Sequence, residues 1–213
     1  MAKQNTKIIV KPFQQTSIFP ELLDGFAHSQ KITKKWVKQN NVWELTDVSL
    51  LREWSAEKRI WITEYMCQQI ERGGTTVGAF CNDRLIGFCC VDGTISGNSA
   101  KYANLTMLFV DDNWKRNGIG KLLMQEARNH ATKLGAEKIF ISAIPSTETI
   151  AFYLKMGCVD ANEIVGAFVD SEDDRYLELM VNPEKNVLLE LHNNCFVYSS
   201  KKLQSVLTSY FDV

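Results

Sequence analysis

The sequence predicts an α/β (α+β) fold in one domain, and three features of the chain support this prediction. Its 213 residues are 45% hydrophobic, which is enough for a packed core and a small appendage. The hydrophobic pattern alternates between strand-like runs and helical spacing, and glycines end several helical stretches. The clearest unit, residues 105–134, joins an apolar strand to an amphipathic helix through a basic, glycine-containing loop.

The N-terminal part predicts one strand followed by two helices. The strand is expected at residues 7–11, where the sequence reads KIIVK. Helical spacing of apolar residues predicts a helix within residues 19–40, broken near Ser29, and a second helix from about 49 to 72. The glycine pair 73–74 ends this second helix.

A hairpin leads into the middle of the chain. Residues 75–81 and 85–91 predict two strands, joined by a short turn at Asn82-Asp83-Arg84. A loop at 93–99 precedes the buried strand at 105–110. The remaining expected elements are a helix at 119–134 ended by Gly135, a strand at 138–143, a helix at 147–156 ended by Gly157, and strands at 158–165 and 175–181.

Residues 115–121 combine two glycines and three cations at the start of a helix. The first N–H groups of a helix lack partners within it, and the helix dipole makes that end partly positive. Because Gly118 and Gly120 have no Cβ, a pyrophosphate can approach these N–H groups; a tight turn with solvated lysines is the alternative. Leu122 and Leu123 exclude a P-loop and a dinucleotide fingerprint, which need a hydroxyl and a glycine there. The cations are Lys115, Arg116 and Lys121.

The same stretch resembles the signature of the GNAT superfamily of acetyl-CoA-dependent N-acetyltransferases. That signature is an apolar strand ending in valine, a short linker and then [Q/R]-x-x-G-x-[G/A]. Here Val110 ends the strand, residues 111–114 form the linker, and Lys115-Arg116-Asn117-Gly118-Ile119-Gly120 follows. Lys115 stands where glutamine or arginine is usual, which keeps a positive charge but lacks the planar guanidinium.

A second motif of the family lies downstream at the family's separation. GNAT proteins often carry N-x-x-A-x-x-F-Y-x-K-x-G-F there. The chain matches at Phe152, Tyr153, Lys155 and Gly157, while Ser146 replaces the asparagine. The resemblance is specific over residues 75–181.

The resemblance implies a GNAT-like fold, a mixed, largely antiparallel, twisted sheet of about seven strands flanked by helices. Residues 1–182 are then the acetyltransferase domain, with its motif-bearing core at 75–181. Residues 183–213 are a C-terminal extension, which we expect to pack on the domain or to form a homodimer contact through a closing helix.

The resemblance also implies transfer of an acetyl group from acetyl-CoA to a primary amine, on a small molecule or a peptide, by direct attack. Tyr153 is then the general acid for the leaving thiolate, and a strand N–H near Leu108 meets the developing oxyanion. The implied cofactor-binding residues are Leu108, Phe109, Val110, Lys115, Arg116, Asn117, Gly118, Ile119, Gly120, Lys121 and Ser146.

The general base remains unassigned at this stage. A free alkylamine has a pKa near 10.4, so roughly one molecule in 10³ is neutral at pH 7 and a base or water relay is expected. Asp111 and Asp112 lie near the loop but fit a capping role equally well, and His130 fits a structural role. His28 and Glu44 lie where the family usually shapes its acceptor site, although core packing fits each of them too. The aromatic residues considered with them are Phe26, Trp36, Trp43 and Tyr65.

Composition argues against several other classes of protein. The formal net charge is −1, so the whole molecule offers no broad attraction to nucleic acid or to an anionic membrane. No apolar run is long enough for a membrane span, and residues 1–10 show no secretory signal pattern. The six cysteines form no C-x-x-C pair, so we expect reduced thiols, no metal site and a cytoplasmic protein.

Two other functions compete with the enzyme. A catalytically weak acyl-CoA-binding regulatory protein would keep the cofactor cleft, but the presence of Tyr153 favours catalysis. A nucleic-acid-binding module that uses the cations of residues 115–121 is disfavoured by the net charge and by the lack of interleaved aromatic residues.

Overall fold

The computed structural model describes residues 7–182, which form a seven-stranded sheet, a separate two-stranded hairpin and three α-helices. The strands are β1 (Ile8–Pro12), β2 (Ser29–Gln39), β3 (Val42–Glu53), β4 (Thr75–Cys81), β5 (Arg84–Ser96), β6 (Tyr102–Val110), β7 (Lys138–Ala143), β8 (Val159–Asp160) and β9 (Arg175–Met180). The helices are α1 (Ala56–Glu71), α2 (Ile119–Lys133) and α3 (Thr147–Lys155). The extension predicted at 183–213 lies outside the described residues.

The large sheet is mixed and largely antiparallel, as the family resemblance implied. Its order is β1-β4-β5-β6-β7-β9-β8, and β6 and β7 are its one parallel pair within the described residues. One face packs against α2 and α3, through residues such as Leu123 and Ile150. The other face packs against α1, through Met66. None of the described helices is long and apolar enough to cross a membrane.

The hairpin of β4 and β5 is confirmed. Its turn residues Asn82 and Asp83 have φ angles of 48° and 61°, which two-residue hairpin turns require and asparagine and aspartate tolerate. β5 is longer than expected and continues to Ser96, into the region predicted to be a loop.

The helix predicted within residues 19–40 is wrong. Residues Pro20–Leu23 form only a 3₁₀ turn, and residues 29–39 form β2, which pairs with β3. Ile32 and Trp36 suggested a helix because they are four residues apart, but a spacing of four also places two side chains on one face of a strand. Asn40 and Asn41, with φ of 48° and 64°, form the turn that makes this segment a hairpin.

The helix predicted from residue 49 begins only at Ala56. Ser55 is its N-cap, and its hydroxyl accepts a hydrogen bond from the Lys58 N–H at 3.2 Å. Leu50 and Leu51, which appeared to belong to the helical stripe, lie on β3 with 47% and 62% of their surface exposed. The first helix of the predicted order is therefore replaced by a strand pair, and the second helix is shortened.

The C-terminal half follows the prediction closely, with one correction. The strand at 138–143, the helix from Thr147 and the strand from Arg175 are all present. The strand predicted at 158–165 is reduced to Val159–Asp160, because Val165 and Phe168 turn away from the ladder and bury their side chains in a separate small core.

Candidate functional site

β6 and β7 separate after three paired residues and leave a gap in the sheet. Tyr102–Asn104 of β6 pair with Lys138–Phe140 of β7. Beyond this point β6 continues beside β5, and β7 continues beside β9. Among the described strands, none therefore pairs with β6 on the β7 side from Leu105 to Val110. Such an open edge offers N–H and C=O groups to an extended ligand.

A bulge in β6 lies where the gap begins. Cys90 of β5 pairs with Met107 and Val91 pairs with Leu105, so Thr106 is an extra residue in β6. Beyond the bulge, Leu108 packs on the α2 and α3 side of the sheet and Phe109 packs on the α1 side. The gap therefore has two distinct faces, which different side chains cover.

The basic loop between β6 and α2 presents unpaired backbone N–H groups. Gly118, the N-cap of α2, has φ of 80°, and nothing lies within 4 Å of a Cβ built on it, so its backbone conformation explains the glycine. The first helical hydrogen bond runs from the Leu122 N–H to the Gly118 carbonyl at 3.2 Å. The preceding N–H groups of residues 119–121 have no acceptor within the described chain, which suits an anion.

Gly120 has a packing role that the sequence did not reveal. A Cβ at this position would lie 2.9 Å from Cε2 of Phe152 on α3. The absence of a side chain thus allows α2 to approach α3 closely. Since Tyr153 follows Phe152, this contact helps to fix the loop helix relative to the predicted catalytic residue.

Asp111 and Asp112 brace the loop against the start of β2. The fully buried Asp111 carboxylate accepts hydrogen bonds from the Ala27 N–H at 3.1 Å and from Arg84 Nη2 at 3.0 Å. Burial alone would raise the pKa of Asp111, but the backbone N–H groups and Arg84 hold it below its usual value. Asp112 accepts from the Ser29 N–H at 2.7 Å and pairs with Lys115 at 2.5 Å. Both acids are therefore engaged structurally.

The cations of the loop have different partners. Lys115 is held by Asp112, whereas Arg116 and Lys121 are exposed or half-exposed and form no ion pair within the described residues. A groove of about 240 Å³ continues from the loop between α2 and α3. The basic residues that line this groove are Lys121, Arg128 and Lys155.

Tyr153 lies on α3, on the α2 and α3 side of the sheet, among apolar neighbours. It is 7% exposed, and its hydroxyl has no hydrogen-bond partner within the described residues. Burial raises the pKa of Tyr153 well above the ordinary value of a phenol, and the thiols of Cys158 and Cys89 add to this effect. Cys89 pairs with Leu108 across β5 and β6, which places Tyr153 near the strand that borders the gap. The tyrosine is therefore a neutral hydroxyl at neutral pH.

Ser146 caps the helix that carries Tyr153. Its fully buried hydroxyl accepts from the Thr149 N–H at 3.1 Å and from Gln30 Nε2 at 3.0 Å. Gln30 belongs to β2, and the Trp36 N–H of the same strand donates to the Pro145 carbonyl at 2.7 Å. The hairpin missed from the sequence therefore packs over the start of α3.

On the α1 face of the gap, the structure brings together groups that sequence reasoning did not connect. The Ser142 hydroxyl on β7 donates a hydrogen bond to Asp174 Oδ2 at 2.8 Å and accepts one from the Asp170 N–H at 3.1 Å. Burial raises the pKa of Tyr65 on α1, the Thr106 side chain opposes this rise, and Asp170 contributes to it. Burial raises the pKa values of Asp170 and Asp174. The charge of Asp174 adds to the rise at Asp170, whereas the Ser142 hydrogen bond and Arg52 oppose the rise at Asp174.

The other candidates considered from the sequence lie away from the start of the gap. His28 contacts Trp54 and Phe109, with ring centroids 4.3 and 5.1 Å apart, and burial lowers its pKa to about 4. Trp36 and Trp43 stack on the Arg175 guanidinium, at 5.5 and 4.6 Å. His130 is half-buried on α2, and burial lowers its pKa as well. Phe26 is buried, and Glu44 is exposed on β3.

Comparisons with known proteins show the family and the fold. Residues 34–158, more than half of the chain, match the family model described as the acetyltransferase (GNAT) family. A search of curated protein sequences gave no match.

Several solved structures share the fold. A nourseothricin acetyltransferase is 15% identical with a TM-score of 0.58, over 83% of this chain and 100% of that chain. A Bacillus anthracis protein assigned as a streptothricin acetyltransferase, in complex with acetyl coenzyme A, is 17% identical with a TM-score of 0.58, over 82% and 99%. The PaiA N-acetyltransferase of Thermoplasma acidophilum, in complex with coenzyme A, is 17% identical with a TM-score of 0.52, over 82% and 99%. At these identities the likeness concerns the fold.

Proposed function

The chain belongs to the acetyltransferase (GNAT) family, and from this premise we propose that it moves an acetyl group from acetyl-CoA to a primary amine by direct attack. The observation that carries the proposal is the gap between β6 and β7. One end of the open β6 edge leads into a loop with free N–H groups, and Tyr153 lies beside the same strand. The amine belongs to a small molecule or a peptide.

We propose that the loop and the open strand edge hold the cofactor. The N–H groups at the start of α2 bind the pyrophosphate, and Arg116 and Lys121 add positive charge. The amide-bearing arm then lies along Leu108, Phe109 and Val110 as an added strand. The basic groove between α2 and α3 takes the nucleotide end. The rest of the proposed set is Lys115, Asn117, Gly118, Ile119 and Gly120, with Ser146 contributing through the start of α3.

Tyr153 is proposed as the general acid. The amine nitrogen attacks the thioester carbonyl, the C–S bond breaks with its electron pair on sulfur, and Tyr153 donates a proton to that sulfur. After the attack, the nitrogen loses one of its two protons, and solvent carries this proton to the phenolate of Tyr153. The products are an amide and the free thiol of coenzyme A. An apolar site suits this exchange because burial also raises the pKa of the neighbouring Cys158 thiol to about 12. A thiolate that loses its hydration in apolar surroundings becomes a stronger base than one in water, where a thiol pKa is about 8.5.

Calorimetry with acetyl-CoA and an assay of released thiol test the proposal. The double charge reversal Arg116→Glu/Lys121→Glu should weaken acetyl-CoA binding by more than about 10-fold, since two attractions to phosphate become repulsions. Lys133→Glu, at the exposed C-terminal end of the same helix, is the matched control and should bind normally.

The outcomes separate the candidate functions. Binding of acetyl-CoA with amine-dependent thiol release supports the enzyme. Binding without release from any primary amine would favour the acyl-CoA-binding regulator, and no binding by the wild type would overturn both.

A further inference from the structure

The proposed reaction still lacks a group that deprotonates the acceptor amine. Asp111 and Asp112 are engaged by the backbone of residues 27–29 and by Arg84 and Lys115. His28 lies against Phe109, three residues beyond the bulge and toward the loop. The remaining candidates lie on the α1 face of the gap, where the two strands first part.

We propose that the carboxylate of Asp170 is the general base that accepts the proton of the acceptor ammonium. This inference rests on the proposed function, because it requires the thioester to reach the gap. It also assigns the acceptor to the α1 face, opposite to the face from which Tyr153 acts.

The position of Asp170 follows from a hydrogen bond to β7 at the point where the gap begins. Its N–H donates to the Ser142 hydroxyl at 3.1 Å, and Ser142 lies on β7 two residues beyond Phe140, the last residue paired with β6. Ile141 faces the α2 and α3 core, so Ser142 faces the opposite side. Tyr65 on α1 interacts with the Thr106 side chain of β6, and the charge of Asp170 raises the pKa of Tyr65. Asp170 thus lies beside β7 at the start of the gap, and its charge reaches Tyr65 on the α1 side.

The Asp170 carboxylate is free to receive a proton. Within the described residues it accepts no hydrogen bond and forms no ion pair, in contrast to the Asp174 carboxylate, which Ser142 holds at 2.8 Å. The side chain is solvent-accessible, and partial burial together with the charge of Asp174 raises its pKa. A raised pKa brings a carboxylate closer to the range in which a general base works well at neutral pH.

The surrounding charges favour an ammonium group. The charge of Asp174 raises the pKa of Asp170, and the charge of Asp170 raises the pKa of Tyr65 on α1. Arg52 of β3 acts on Asp174 and is the positive group on that side. An incoming ammonium relieves the repulsion between the two carboxylates, which a neutral or anionic acceptor cannot do.

The step balances without any further reactant. One N–H bond of R–NH₃⁺ breaks, its proton moves to an Asp170 oxygen, and the electron pair stays on nitrogen as the nucleophile. Asp170 then releases that proton to water. The second proton follows the path through Tyr153, so the net reaction yields the amide, the thiol and one solvent proton.

The test is the pH dependence of kcat/KM for Asp170→Asn, with butylamine, benzylamine and 1,4-diaminobutane as acceptors. At pH 7 we expect kcat/KM to fall by about 10²–10³-fold. The deficit should shrink as the pH approaches the amine pKa, because a neutral amine needs no base. Asp170→Glu should restore part of the activity, and calorimetry should show unchanged acetyl-CoA affinity.

The matched control is Glu172→Gln, which removes a neighbouring exposed charge from the same loop and should leave the pH profile unchanged. An Asp170→Asn enzyme with wild-type kcat/KM at pH 7, or with the same deficit at every pH, would overturn the inference and leave the proposed function standing. A wild type that binds no acetyl-CoA would instead defeat the proposed function, and this inference with it.

Discussion

The contact between Gly120 and Phe152 gives a quantitative test of how the loop helix is fixed to α3. An added Cβ would lie 2.9 Å from Cε2 and 3.1 Å from Cζ of the ring. Carbon atoms in favourable contact are about 3.5–4.0 Å apart, so the ring or α2 must move by roughly half an ångström to accept an alanine.

Two effects oppose each other in Gly120→Ala. The φ of Gly120 is not among the positive values, so alanine fits the backbone and gains up to about 1 kcal/mol of helix propensity. Overpacking against the ring costs about 1–3 kcal/mol. We expect the variant to lose about 1 kcal/mol of unfolding free energy in the wild type. In a Phe152→Ala background, where the ring is gone, the same change should add roughly 0.5–1 kcal/mol.

Urea denaturation of the four proteins in this double-mutant cycle measures the effect. The expected coupling energy between positions 120 and 152 is about 1.5–2 kcal/mol. If Gly120→Ala changes the unfolding free energy equally in both backgrounds, the close packing of α2 on α3 does not explain this glycine, and the reasoning fails.

Three further predictions concern catalysis and pH. Tyr153→Phe should lower kcat by at least about 10²-fold while the acetyl-CoA dissociation constant changes little; unchanged turnover would remove Tyr153 from the mechanism. Asp111→Ala should lower the unfolding free energy by about 3 kcal/mol, because Arg84 and the Ala27 N–H lose their acceptor, and urea denaturation at pH 7 measures this. Folding lowers the pKa of His28 to about 4, so the unfolded chain binds a proton at His28 at a higher pH than the folded protein does. The contribution of neutral His28 to the unfolding free energy is therefore full above about pH 6.5 and is lost as the pH falls toward 4. That loss is about 3 kcal/mol, from about 1.4 kcal/mol per pH unit, and it should be absent from His28→Gln in parallel urea titrations.

The elements that the sequence predicted well are those with strong local signals. Gly135 and Gly157, with φ of 76° and 87°, end α2 and α3 where the helical spacing stops. The strand at 138–143 alternates clearly and is bounded by a glycine and a proline. In these regions the chain near each residue determines the structure, so pattern reasoning succeeds.

The N-terminal hairpin was missed because its stability comes from distant parts of the chain. Within residues 7–182 its two strands form their ladder with each other, and β2 is also held by Pro145 and Ser146, more than 100 residues away. Ile32 and Trp36 fit both a helix and a strand, and the Asn40-Asn41 turn was the local signal that could have decided between them.

The candidate site also has one part that local sequence signals predict and another that depends on contacts between distant parts of the chain. The basic loop and Tyr153 belong to contiguous motifs and were named from the sequence. The α1 face of the gap depends on strand order, because Tyr65, Ser142 and Asp170 come from α1, β7 and the segment before β9. The order of the strands and the side on which α1 packs place these three residues, and no spacing in the sequence encodes that order.

A crystal structure of the protein with acetyl-CoA tests the central claim most directly. We expect the pyrophosphate on the N–H groups that begin α2, the arm along the open edge of β6, and the sulfur within hydrogen-bond distance of the Tyr153 hydroxyl. An arm lying outside the gap between β6 and β7, or a sulfur remote from Tyr153, would contradict it.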